Sequence, residues 1–273
     1  MNKAAFALAA VALSLTLTAC SENPNNISEE ADSQLKADAN LPEGILNKQA
    51  LIRYSMAVSE YQPKDEFSPK DFDDSKLVGR HIVVEQRYYA WIDDMLPSIY
   101  TYDVDTQKLT FSISPPVGLA YIQTDLGSQK KSNAFGTTVD VKMSSTEVFF
   151  LGYLPPSLDA LEQTKPLPEI GVFKIKKHSA YGPGAITYTY EPITKTLEIR
   201  PDDARKLTDG LRLLIDATAI HGPSGRTVEC ETDYKTAKID SPTEGLTTRC
   251  AVAVKFNKLA IYASDGKMLA EWK

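Results

Sequence analysis

Carboxylates, histidines and one run of rings are the residues of this chain that could do chemistry. Asp73-Asp74 and Asp93-Asp94 are adjacent acids, and a glycosidase needs two carboxyl groups that face each other across a cleft, one to donate a proton and one to activate water or attack. Adjacency in a chain does not produce facing, and neighbouring acids on a loop are ordinarily solvated. His81, His178 and His221 fall at no metal-ligand spacing from one another or from a cysteine. His221-Gly222-Pro223-Ser224-Gly225 brings a serine near a histidine without the strand-Gly-x-Ser-x-Gly-helix setting of a nucleophile elbow, so it reads as a Pro/Gly loop. Asp103-Val104-Asp105 lacks the glycine and the terminal glutamate of a calcium loop and reads as a hairpin turn. No phosphate-binding glycine loop is present. The sequence therefore assigns no catalytic residue, no metal ligand and no cofactor. Its best binding candidates are Tyr88, Tyr89 and Trp91, whose rings could stack on a sugar or a partner surface. The plainer reading of those rings is alternate strand residues packed into the core.

The element that must hold such residues in place begins with an address. Lys3 and an Ala/Leu-rich run from Ala4 to Leu17 have the form of an export signal, too short to span a bilayer. The run ends in Leu17-Thr18-Ala19-Cys20, which resembles the lipobox of bacterial lipoproteins. The resemblance implies cleavage after residue 19, a thioether-linked diacylglycerol on Cys20 and a membrane as the first partner. Ser21, not aspartate, follows the cysteine, which by the same resemblance implies the outer membrane, facing the periplasm.

Removing Lys3 with the leader leaves 29 basic side chains against 36 acidic ones, a formal charge of about −7. That balance argues against a nucleic-acid partner and offers no polybasic patch for anionic lipid, so attachment is expected to rest on the acyl chains. With Cys20 lipidated, Cys230 and Cys250 remain in an oxidising space, and a disulfide between them is expected. It would close a loop of about twenty residues and stabilise by roughly 3 kcal/mol. The enclosed segment, with Asp233, Lys238, Asp240, Pro242 and Gly245, holds too little apolar surface to support itself otherwise.

Residues 20–43 are polar and acidic, a flexible tether with a reach of some 25 Å. Leu51, Tyr54, Val58 and Tyr61 recur at helical spacing and predict an amphipathic helix from Gly44 to about Tyr61, ended by Pro63. The acidic stretch from Asp65 to Asp74 reads as a solvated connector. Strand signals then dominate: Leu77–Tyr89, Ile99–Val104, Lys108–Ile113, Val117–Thr124, Thr137–Met143 and Glu147–Tyr153. Pro155-Pro156 stops the run, Ser157 opens a short helix to about Gln163, and Lys165-Pro166-Leu167-Pro168 looks like a linker. A second series follows: Gly171–Lys176, Ala185–Glu191, Thr196–Arg200, Leu211–Ala219, Thr227–Glu231, Arg249–Phe256, Leu259–Ala263 and Met268–Trp272. Leu211, Leu213, Ile215, Ala217 and Ala219 alternate with polar residues, as in a strand buried on one face. Asp265-Gly266 signals a hairpin with positive φ at both central residues. Pro201, Asp202-Asp203 and Gly210 delimit one more short helix.

A weak repeat runs through this region. Tyr100-Thr101-Tyr102-Asp103, Thr106, Leu109 and Phe111 match Tyr188-Thr189-Tyr190-Glu191, Thr194, Leu197 and Ile199 without a gap, and Val139–Met143 matches Val252–Phe256 downstream. The expectation is a mainly β, β-rich α+β fold: antiparallel sheets in two halves, 44–165 and 166–273, that a duplication would relate, each round a Tyr-Thr-Tyr hairpin, with a few short helices. A crevice between the halves would be the default ligand site. Three functions fit. The leading one is a non-enzymatic lipoprotein module that binds an envelope protein or glycan. The others are a cell-wall hydrolase with carboxylate chemistry and an envelope assembly factor.

Overall fold

The computed structural model describes residues 35–65, 67–87, 99–132, 136–153, 167–179, 186–238 and 241–273. Cys20, Tyr88, Tyr89, Trp91 and Asp93-Asp94 lie outside them. No described helix is long and apolar enough to cross a membrane. The chain is mainly β, with antiparallel sheets and, among the described residues, two α-helices, as the residue pattern predicts.

Helix α1 covers Lys48–Ser59. It begins later than the spacing of apolar residues predicts because Asn47 takes the N-cap, its side chain accepting a hydrogen bond from Ala50 N at 2.9 Å. Leu46, just before the cap, instead bridges Ile82 in parallel. Leu51, Ile52, Tyr54, Ser55 and Met56 form the buried stripe.

The strands are β1 (His81–Arg87), β2 (Tyr100–Asp103), β3 (Lys108–Ile113), β4 (Val117–Ser132), β5 (Thr138–Leu151), β6 (Ile175–Ser179), β7 (Ile186–Tyr190) and β8 (Ile193–Glu198). Helix α2 (Pro201–Thr208) follows, then β9 (Arg212–Ala219), β10 (Val228–Lys235), β11 (Thr243–Val252), β12 (Val254–Tyr262) and β13 (Met268–Trp272). One sheet runs β1-β9-β12-β13 and is antiparallel throughout. A second runs β10-β11-β5-β4, parallel only between β11 and β5. β2-β3-β8 and β6-β7 complete the set among the described residues.

The inner residues of the two large sheets and the stripe of α1 enter one core. Leu213, Ile215 and Ala217 from β9, Leu259 and Ile261 from β12, and Leu151, Val252 and Phe111 are all essentially inaccessible. Each large aliphatic side chain so buried contributes roughly 1.5–3 kcal/mol relative to exposure. The chain passes from the second sheet to the first at Ala253, where the segment expected as one strand, Arg249–Phe256, divides between β11 and β12. Elsewhere strands merge or lengthen. Thr137–Met143 and Glu147–Tyr153 are parts of one strand, β5, and β4 runs on to Ser132 through an irregularity between Asp125 and Ser128. Polar residues mislead here because both strands project past the core, so neither face demands apolar side chains.

The repeat takes a different form from the one expected. β2 and β3 make a hairpin, but β7 pairs with β6 and β8 pairs with β3, so the second Tyr-Thr-Tyr segment is not the arm of a hairpin with the strand after it. Leu109 and Leu197, equivalent in the repeat, lie directly opposite each other. Val139–Met143 lies inside β5, whereas Val252–Phe256 straddles the break at Ala253. The three largest sheets each combine strands from before residue 165 and after it, so no seam between halves exists in them for a ligand to enter.

The Cys230–Cys250 disulfide is present, its Cα atoms 4.1 Å apart. It does not clamp an unsupported loop. Its cysteines are direct partners in the β10–β11 ladder, which continues out to Lys235 opposite Gly245. The Asp265-Gly266 hairpin also differs in detail: only Gly266 has positive φ, and the Asp265 carboxylate accepts Lys267 N at 2.9 Å. The turn is thus longer than the two-residue type that demands two left-handed residues.

Candidate functional site

The candidate site is the outer face of the β1-β9-β12 sheet and the cleft at its edge. Alternation along β9 sends Leu213, Ile215 and Ala217 inward and leaves Arg212, Asp216 and Thr218 outward. The ladder then fixes their neighbours: His81 opposite Thr218 on one side, Lys255 opposite Thr218 on the other, and Lys258 opposite Asp216. The irregularity between Phe256 and Lys258 inserts Asn257 as an extra outward residue, re-aiming its side chain across the strand.

These groups are hydrogen-bonded to one another. His81 Nε2 and Asp216 Oδ1 are 3.0 Å apart, and Asn257 Nδ2 donates to Asp216 Oδ1 and to Thr218 Oγ1, both at 3.0 Å. Lys258 bonds Glu271 at 2.6 Å, which raises the lysine pKa and lowers that of the glutamate. The dominant cause on each is the hydrogen bond between them. Arg212 and Glu85 close the far end at 2.8 Å.

Beyond Lys255 the segment 170–172 runs beside β12 as a short parallel addition. Val172 N donates to Phe256 O at 3.2 Å, and Phe256 N donates to Ile170 O at 3.0 Å. Phe173 turns inward to meet Phe256 edge to face, with centroids 5.1 Å apart. Tyr190 Oη donates to Pro168 O at 2.7 Å and holds the segment from behind, and burial raises its pKa. The result is a cleft of about 750 Å³ lined by Glu169, Gly171, Phe173, Lys174, Ile175 and Lys255. Among the described residues, Lys174 and Lys255 enter no salt bridge. Excess acid in the whole chain obscured this local gathering of lysines, which needs β6 and β12 to be brought together.

Other residues singled out in the sequence fall elsewhere. His221 lies in a loop tightened by Gly222 N to Arg226 O at 2.7 Å. Asp103 caps its turn, accepting from Asp105 N, Thr106 N and Thr106 Oγ1, and the Thr106 hydroxyl lowers its pKa most. Asp74 is not the solvated loop acid expected. It is 9% exposed, and one carboxylate oxygen accepts Thr227 N at 2.6 Å and Val228 N at 2.8 Å, fastening the loop to the start of β10. Burial, with Asp74 and Asp73 adding, raises the nearby Tyr54 pKa to about 12. Among the described residues no group of three His, Cys, Asp or Glu side chains is placed to hold a metal ion.

Glu147 is a carboxylate whose pKa is raised. It shares the inner face of β5 with Phe149, and burial raises its pKa, with Glu60 adding repulsion. The folded state therefore holds this proton more tightly than the unfolded one. Stability from this group falls as pH rises through the interval between its ordinary and its raised pKa, and stays lower above it. Glu147→Gln is expected to raise the melting temperature by roughly 1–3 °C at about pH 7.5 and to lose that gain below about pH 4, as thermal melts across pH would register.

Compared with known protein families, curated proteins and solved structures, the chain matches none.

Proposed function

We propose that this chain is a lipid-anchored binding protein of the cell envelope, held through Cys20 at the periplasmic face of the outer membrane. Its ligand surface is the outer face of β1-β9-β12 with the adjoining cleft. The observation that carries the reading is the continuous row of His81, Thr218, Asp216, Asn257 and Lys255, which leads into the cleft while the opposite face of the same strands is closed core. A row of donors and acceptors spaced by a sheet ladder suits recognition of a polar ligand, with the cleft supplying the concavity.

The test is co-elution. Acylated protein in detergent is mixed with envelope extract, and bound material is identified by mass, beside a Thr218→Arg variant that obstructs the row. The reading expects a ligand retained by the wild type, lost from the variant and unchanged in mass on long incubation. No retained ligand, or one retained equally by Thr218→Arg, would count against it.

One observation favours the hydrolase reading. Glu147, held towards its protonated form, lies near Glu60, the combination of acid and carboxylate that glycoside hydrolysis uses. A retained glycan that changes mass in the experiment above, and stops doing so in Glu147→Gln, would move the assignment to that pair.

A further inference from the structure

We infer that the cleft takes the phosphate monoester of a phosphorylated ligand, with Lys174 and Lys255 as its counter-charges. The inference rests on the binding role proposed above and names the ligand class of that same site. Two lysines from separate elements converge on one cavity, Lys174 just ahead of β6 and Lys255 on β12. Glu169 is the acid of the lining. The three charged side chains of the lining, Lys174, Lys255 and Glu169, sum to +1 on a chain whose total is −6, and a phosphate monoester carries about −1.5 to −2 at neutral pH.

The neighbouring geometry suits the rest of such a ligand. Thr218 lies opposite Lys255, and His81 lies opposite Thr218, so a hydroxyl and an imidazole continue outward in line from the lysines. A sugar or glycerol attached to the phosphate would pass over them. Gly171, in the lining, has no side chain to hold the 170–172 segment away from the Phe256 backbone, and that close approach sets Lys174 and Lys255 on one cavity. Lysine serves phosphate as a point charge, and two lysines from different segments can meet two of its oxygens at once.

Calorimetry on the full acylated chain in detergent tests this with four probes: glucose 1-phosphate, inorganic phosphate, dihexanoyl phosphatidic acid and glucose. Binding of one or more phosphates is expected, with glucose silent. Preference for glucose 1-phosphate would mark a sugar-phosphate source, preference for the phosphatidic acid a lipid headgroup, and equality with inorganic phosphate a site for the phosphoryl group alone. Lys174→Gln/Lys255→Gln is expected to weaken binding at least about tenfold, and raising salt from about 50 to about 500 mM to weaken it further. Lys195→Gln, on β8, is the control and should leave it unchanged. Lys255→Gln alone, at unchanged melting temperature, guards against a double variant that fails to fold. Silence with every phosphate, equal affinity in the folded lysine variants, or glucose binding as tightly as its phosphate would overturn the inference. A neutral envelope ligand lost in Thr218→Arg would overturn it while leaving the binding role in place.

Discussion

Gly171→Ala is expected to be among the most damaging single substitutions in the chain, lowering stability by about 2–4 kcal/mol and abolishing the cleft. A methyl carbon at this position would lie 1.9 Å from Phe256 O and 2.8 Å from Phe256 C, both backbone atoms that no rotamer change can remove. The backbone φ of +84° adds strain for any side chain. Relief requires the 170–172 segment to leave β12, which breaks the Val172–Phe256 and Phe256–Ile170 hydrogen bonds and withdraws Phe173 from Phe256. Gly225 separates steric clash from strain. Its φ of +85° is nearly the same, but nothing lies within 4 Å of the added carbon, so Gly225→Ala should cost only about 1 kcal/mol. Paired denaturant titrations decide the matter. Equal losses in the two variants would show that the close approach to Phe256 is not what Gly171 provides.

Replacing both cysteines, Cys230→Ala with Cys250→Ala, is expected to lower stability by about 2–4 kcal/mol and the melting temperature by roughly 5–12 °C. The bridge joins directly opposed residues of β10 and β11, and both sulfurs pack 3.8 Å from the Ser55 carbonyl oxygen of α1. Its loss therefore returns conformational entropy to the unfolded chain and removes a contact that seats the helix on the sheet. Hydrogen exchange should show increased opening in α1 as well as in the β10–β11 hairpin. Increased exchange in the hairpin alone, with α1 unchanged, would mean that the helix is seated by its apolar stripe without help from the bridge.

The parts of this fold that the sequence revealed are those governed by burial. The alternation of Leu211, Leu213, Ile215, Ala217 and Ala219 identified β9 because one of its faces is closed core. The cysteine pair was legible by elimination once Cys20 was given to lipid, and the helix by its apolar spacing, although Asn47 moved its start. Strand ends were legible only where burial ends with them. β4 and β5 run out into solvent, where serines and threonines serve as well on a strand as in a turn, so one strand looked like two.

The candidate site was hardly legible at all. His81, Asp216, Asn257 and Thr218 are separated by up to 176 positions and meet only because three strands pair in one register. Asn257 points to its neighbours through an extra residue in β12 that no local pattern announces. Asp74 was misread for the same reason, since its partners Thr227 and Val228 lie 153 and 154 residues away. Lys174, Lys176 and Lys177 could have been noticed as a basic run within an acidic chain. Lys255, which completes the cleft, could not.

The proposed lipid anchor at the envelope is tested most directly by the mass of the mature amino terminus. An N-terminal peptide beginning at Cys20 and carrying thioether-linked diacylglycerol, recovered from the outer-membrane fraction, is the predicted result. An uncleaved chain beginning at Met1 with a free Cys20 thiol, recovered from the cytosol, would contradict it.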